Sequence, residues 1–191
     1  MQLIPVHTAD DILPNYRGTP VDRLLRYHNL GEPVPTTVRK AEILVGMCMD
    51  HRKDLTLPHE FAYVLRAAGG NLRDSEFEIS YAVGIGGITT MALLAHTDCG
   101  MAHVTDKREA FVRGLVERGG CPEEAASDQF SKFATRYEIG DPVEFVVGEA
   151  VRLRRLYPRL MVAPLLYTVE DDRLLQIVES REVPKGLAIH K

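Results

Sequence analysis

From Ala41 onward the chain alternates short apolar runs with segments of helical length, and this alternation restricts the fold more than any other feature of the sequence. The runs at 42–47, 61–65, 90–95, 143–147 and 160–166 read as strands, and the segments near 74–86, 107–118, 123–135 and 148–157 read as helices. Strands separated by helices favour an α/β fold, a mostly parallel central sheet flanked by helices. The last run passes through Glu170-Asp171-Asp172 and returns as Leu174 to Val178, which predicts an antiparallel hairpin at one edge. Residues 1–40 stand apart. "PVDRLLRYHNL", with Leu24, Leu25, Tyr27 and Leu30 partly at helical spacing, and the turn-rich "GEPVPTT" predict an N-terminal helical arm. Its apolar stripe must cover either its own core or a partner subunit. The expected organisation is an arm over 1–40 and one α/β domain over 41–191, and 191 residues are enough to bury a substantial core.

Two of the predicted strands end in chemistry. "LVGMCMDHRKD" stops at Cys48 and then sets Asp50 and Arg52 at two-residue intervals, and "MALLAHTDCGM" stops at His96 and then gives Cys99. In an open parallel sheet the loops at the carboxyl ends of the strands form the crevice where functional groups gather. His96 and Cys99, three apart at the start of a turn, can face one point, and Cys48 can reach it from a neighbouring strand. Thiolate and imidazole are the usual ligands of zinc, and three protein ligands leave a fourth tetrahedral position for water or substrate. Asp50 has two options: to complete the tetrahedron in a closed state, or to pair with Arg52 and leave that position open. Two thiolates cancel the zinc charge, so such a metal acidifies its water less than one held by three imidazoles, and an acceptor that orients hydroxide would be useful. The competing reading is that the cysteines are small core residues and that Asp50 with Arg52 is a surface ion pair.

"CMDHR" followed by "HTDCG" resembles the beta-class carbonic anhydrases, whose signature is Cys-x-Asp-x-Arg and then His-x-x-Cys-Gly. "FAYVLRAAGGNLRD" is similar to the family's strand and glycine-rich turn, and "SYAVGIGGITTMALLAHTDCGM" to its helix, strand and ligand segment. The resemblance implies a zinc domain in which Cys48, His96 and Cys99 bind Zn2+ and Asp50 and Arg52 form the catalytic pair. The implied activity is reversible hydration of carbon dioxide to bicarbonate by metal-bound hydroxide. The implied assembly is a homodimer or dimer of dimers, with the N-terminal helix clasping the partner. The short chain and "HTDCGM" look like the compact branch, which also contains carbonyl sulfide hydrolases. Hydrolysis of carbonyl sulfide or carbon disulfide at the same site is therefore an alternative, as is a zinc-binding protein without turnover. The chain departs from the family at His51 and Ala95, lacks the upstream substrate-binding Gln in "PVPTTVRKAEI", and contains no Trp for a bicarbonate-inhibition site.

Other features bound the partners. A net charge of −4 gives no general reason to bind nucleic acid or an anionic membrane, and the basic "RLRRLYPR" reads as a solvated helix face. No segment approaches the roughly 18 apolar residues of a membrane span, and "MQLIPVHTADDILPNY" lacks the order of a secretory signal. Three cysteines are too few for a disulfide framework, so a cytoplasmic protein with reduced thiols is expected. Met47, Met49 and Tyr63 would suit a small uncharged linear substrate if they face the cleft. His51, His59 and His103 are candidate proton relays or solvated histidines. The glycines at 69, 70, 84, 86 and 87 lack the phosphate-loop pattern, and "AGGN" reads instead as backbone passing close to the metal site.

Overall fold

The computed structural model describes residues 1–33 and 40–179. Part of the turn-rich "GEPVPTT" segment, most of the segment searched for an upstream Gln and the last residues of the expected 41–191 domain lie outside the described residues.

Among the described residues six strands form one sheet in the order β1-β6-β5-β4-β2-β3. They are β1 (Gln2–Ile4), β2 (Ile43–Cys48), β3 (Ala62–Ala67), β4 (Thr90–His96), β5 (Met161–Thr168) and β6 (Arg173–Val178). The run β3-β2-β4-β5 is parallel, and β6 and β1 add antiparallel at the far edge. The α/β architecture, the mostly parallel sheet and the edge hairpin are thus as the alternation predicts. Because both faces are covered, successive residues of the inner strands enter two different cores. Ile43, Val45 and Met47 of β2, with Ala92 and Leu94 of β4, pack on one face. Leu44, with Met91, Leu93 and Ala95, packs on the other. Gly46 is small for a reason: a Cβ there would lie 2.4 Å from Leu72 Cδ1, so only hydrogen lets Leu72 seat on the sheet.

Among the described residues five α-helices complete the fold: α1 (Pro20–Leu30), α2 (Glu76–Gly84), α3 (Arg108–Gly119), α4 (Glu123–Tyr137) and α5 (Pro142–Leu156). Helix α1 starts cleanly, with Thr19 accepting a hydrogen bond from the Val21 amide and Pro20 in the first turn, and ends at Gly31 in the left-handed conformation. Its stripe covers the chain's own core: Val21, Leu24 and Leu25 are buried against Ile43, Val45 and Leu165 of the same cluster. The segment before it is also tied in. The fully buried Gln176 of β6 accepts from the Leu13 amide (2.8 Å) and donates to the Asp11 carbonyl (3.0 Å), and β1 zips onto β6.

Residues 143–147, expected as a strand, are the first turns of α5. The β-branched run "VEFVV" mimics a strand, but Asp141 caps the amide of Glu144 at 2.8 Å and Pro142 sits at the first helical position. Val146, Ala150 and Leu153 then fall on one helical face buried against the sheet. Tertiary packing and the cap outweigh β propensity there. Strand β1, three residues long, carries too little pattern to be read from sequence.

Replacing Leu24 by Ala removes a fully buried side chain beneath the arm helix and is expected to cost about 2–5 kcal/mol. Urea unfolding should show a lower midpoint with an unchanged slope if the helix is part of the cooperative unit.

Candidate metal centre

Parallel pairing of β2 with β4, Met47 opposite Leu94, brings the carboxyl ends of both strands to the same rim. Cys48 is the last residue of β2 and His96 the last of β4. The chain then turns through Asp98, whose φ of 52° is left-handed, and this reversal returns Cys99 toward His96. The ligand atoms of Cys48, His96 and Cys99 lie within 4.8 Å of one another, and all three residues are buried. Ile139, Met101 and Phe145 pack around the two cysteines and keep the surroundings apolar. Gly70 lets a neighbouring loop approach from β3: at φ 71° its Cα direction faces the Cys48 amide, where a Cβ would sit 3.5 Å away. This is the close backbone passage expected of "AGGN".

The donor set fits a soft or borderline dication. His96 Nδ1 lies 2.9 Å from the Thr97 carbonyl, which can only accept, so the proton sits on Nδ1 and the Nε2 lone pair is free. Nε2 is buried and has no hydrogen-bond partner among the described residues. The two thiols share one proton between them. A hydrogen bond from Cys99 pulls the Cys48 thiol down to about 3, and the same bond holds the Cys99 thiol well above its ordinary range. One thiolate, one thiol whose proton a bound cation would have to displace and one bare imidazole nitrogen make a donor set that suits a dication of zinc's type.

Asp50 lies outside that cluster. Its Oδ1 accepts from the Arg52 amide (2.9 Å) and Arg52 Nε (3.1 Å), and its Oδ2 accepts from Arg52 Nη2 (2.8 Å). These bonds hold the carboxyl well below the usual carboxylate range. Of the two arrangements open to Asp50, the structure has the one in which the carboxylate pairs with Arg52. The guanidinium does more than the sequence suggests. It also donates from Nη1 to Asp98 Oδ2 (2.6 Å) and from Nη2 to the Asp98 carbonyl (2.8 Å), so it joins the two loops that carry the candidate ligands.

Asp98 and Lys53 are the participants that sequence reasoning passed over. Their only signals were proximity, Asp98 inside "HTDCG" and Lys53 directly after Arg52. Lys53 is buried, and its burial pushes the ammonium's pKa down while Cys48, Asp50 and Cys99 pull it back up. Tyr167 anchors the same loop from below: its buried hydroxyl accepts from the Asp54 amide (3.0 Å) and donates to Asp172 (2.6 Å).

Other expected participants stand elsewhere. Met47 is part of the core on the arm side of the sheet and does not line a cleft. Met49 is exposed, and Tyr63 lies on the outer strand β3 beside Gly86. His51, His59 and His103 are all solvent-exposed. Cys121 follows the C-terminus of α3, outside the cluster. Two arginines of the basic run are paired within the chain, Arg152 with Glu149 and Glu76 and Arg154 with Glu179. Among the described residues no helix is long and apolar enough to cross a membrane.

No family model matches the sequence, and no curated protein does. Solved structures do match the fold. A beta-carbonic anhydrase isoform from Trichomonas vaginalis superposes with a TM-score of 0.61 at 17% identity, over 80% of this chain and 92% of that one. A carbonic anhydrase from Glaciozyma antarctica gives 0.58 at 21% identity, over 87% and 100% of the two chains. A carbon disulfide hydrolase gives 0.54 at 22% identity, over 91% and 96%. The chain therefore has the fold of the beta-carbonic anhydrases and of carbon disulfide hydrolase.

Metal binding must expel the proton that Cys99 retains at neutral pH. Affinity for zinc or cobalt(II), measured by competition with a chromophoric chelator, is expected to rise about tenfold per pH unit around neutrality. A flat profile would contradict the shared-proton arrangement of the two thiols.

Proposed function

We propose that this chain is a zinc-dependent carbonate dehydratase of the beta-carbonic-anhydrase type, which reversibly hydrates carbon dioxide to bicarbonate. The observation that carries the reading is the buried Cys48–His96–Cys99 cluster with Asp50 turned onto Arg52 beside it. The three side chains would hold Zn2+ and leave one tetrahedral position unfilled by protein. When bound there, zinc supplies the Lewis acidity that makes water nucleophilic near neutral pH.

The chain's own residues do the rest. Asp50, ionised across the working pH range, is a hydrogen-bond acceptor that orients the attacking water. Arg52 fixes the carboxylate through two side-chain bonds and one backbone bond, so orientation costs little at the moment of reaction. The apolar wall of Ile139, Met101 and Phe145 excludes competing water and suits an uncharged linear substrate. Carbonyl sulfide and carbon disulfide share that shape, and the fold of a carbon disulfide hydrolase keeps their hydrolysis as the second reading. The chemistry needs both cysteines as thiolates, which supports the reading of a reducing compartment such as the cytoplasm.

Stopped-flow carbon dioxide hydration by metal-verified protein, with carbonyl sulfide run in parallel, tests this reading. Turnover should vanish in Cys48→Ser with loss of zinc, and Asp50→Asn should retain zinc but lose about a hundredfold in kcat/KM. Sulfide release without hydration would transfer the assignment to the sulfur substrates. Zinc-loaded protein silent on both would leave a zinc-binding protein without turnover.

We further infer that the working unit is a homodimer. Phe77 (80% exposed) and Tyr81 lie on one face of α2 with Ile85 (74%) just past its end, and Tyr63 of β3, beside Gly86, continues the patch. Strand β3 is the edge of the sheet, so its outer hydrogen-bonding groups are open to a second strand. A second copy of this chain fits because an identical edge and apolar face supply a self-complementary surface. Light scattering should give twice the monomer mass, and a Phe77→Glu, Ile85→Glu double variant should give the monomer mass with its far-ultraviolet circular dichroism retained.

A further inference from the structure

Near its C-terminal end, helix α1 meets the loop between β2 and β3, and one imidazole joins them. His28 Nδ1 lies 3.2 Å from the Thr56 amide nitrogen, which can only donate, and 2.8 Å from the Thr56 hydroxyl. Nδ1 therefore presents a lone pair, and the single proton of the neutral ring is on Nε2. Nε2 is itself buried and has no hydrogen-bond partner among the described residues. The next residue, Asn29, is bonded through both side-chain polar atoms to the backbone of Leu174. Asn29 carries no charge, so it fixes the end of α1 to β6 at any pH, whereas the bond from His28 to the loop depends on the state of the ring.

Three elements enclose the imidazole. Its ring lies 5.9 Å from that of Tyr167 on β5, and the Tyr167 hydroxyl holds both the Asp54 amide of the loop and the Asp172 carboxylate of the β5–β6 turn. The charged and titratable groups that face His28 are thus Asp54 from the loop, Tyr167 from β5, and Asp172 with Arg173 from the hairpin. Burial pushes the pKa of the ring below its ordinary value, and the pull of Asp172 and Asp54 in the other direction does not restore it. A proton added to the ring must go to Nδ1. There it takes the lone pair that the Thr56 amide uses and sets two N–H groups against each other. Because the folded state prefers the neutral ring, its contribution to stability is complete above the unperturbed value of 6.5 and is lost as pH falls through the lower folded value.

We propose that His28 is a pH-sensitive latch between α1 and the loop that follows Asp50 and Arg52: neutral, it clasps the loop at Thr56, and protonated, it lets go. Leu55 and Leu57, on either side of Thr56, stay packed against the core on the arm side of the sheet, so the release is a local opening of the loop rather than unfolding of the domain. Histidine suits the task because its charge changes just below neutral pH. The latch itself stands apart from the metal reading. If that reading holds, acid loosens the segment that carries the Asp50–Arg52 pair.

Amide hydrogen exchange of the full chain, read residue by residue by nuclear magnetic resonance and corrected for the intrinsic effect of pH, tests the proposal without any step that involves the metal. Protection of the Thr56 amide should be constant above about pH 7 and fall about fivefold by about pH 5, while the Leu174 amide, held by Asn29, keeps its protection. His28→Asn places an uncharged acceptor near the position of Nδ1 and should make protection at Thr56 independent of pH over the same range. In the parent protein the His28 ring protons should titrate below the ordinary histidine value. Constant protection of Thr56 across the range in the parent overturns the latch, as does a fall of equal size in His28→Asn. A His28 ring that titrates at or above the ordinary value also overturns it, and that measurement needs no variant.

Discussion

The parallel pairing of β2 with β4 is the constraint on which the candidate centre depends. Parallel neighbours end at the same rim, so a thiol that terminates one strand and an imidazole that terminates the other are brought together by backbone hydrogen bonds rather than by any attraction between them. Those hydrogen bonds are in turn supported by two apolar cores, one on each face of the sheet. The third donor, Cys99, needs only the tight reversal at Asp98 to join them.

Rigidity at the rim comes from one side chain. Arg52 reaches Asp50 on its own loop and Asp98 on the loop between His96 and Cys99, and its planar fork can make both sets of bonds without distortion. Most of these groups are partly exposed, so the value of the arrangement lies in geometry more than in stability. Below the rim, Tyr167 ties the Asp50 loop to the β5–β6 hairpin, and Gln176 ties that hairpin to the N-terminal segment. The arm and the metal loop are therefore each tied to the β5–β6 hairpin.

Charge bookkeeping separates the roles of the cations. Arg52 faces two carboxylates, Asp50 and Asp98, which leaves one negative charge at the rim, and the buried Lys53 feels Cys48, Asp50 and Cys99 as its anions.

Much of this was legible in the order of residues. Runs of apolar residues separated by helical segments specify a two-sided parallel sheet, because such runs can be buried only when both faces are covered. Cys48, His96 and Cys99, placed where those runs end, mark a metal set for the same reason, and Asp50 with Arg52 can pair locally because they are two residues apart. Where the sequence misled, local propensity competed with a cap: "VEFVV" favours a strand, and Asp141 with Pro142 makes it a helix. Only the tertiary structure decided that the stripe of α1 covers its own core, that Asp50 turns to Arg52, that Asp98 completes the guanidinium's bonds and that Lys53 points inward. Each of these depends on contacts between segments far apart in the chain, and the direction of a long side chain is set by the space its neighbours leave, which no local pattern encodes.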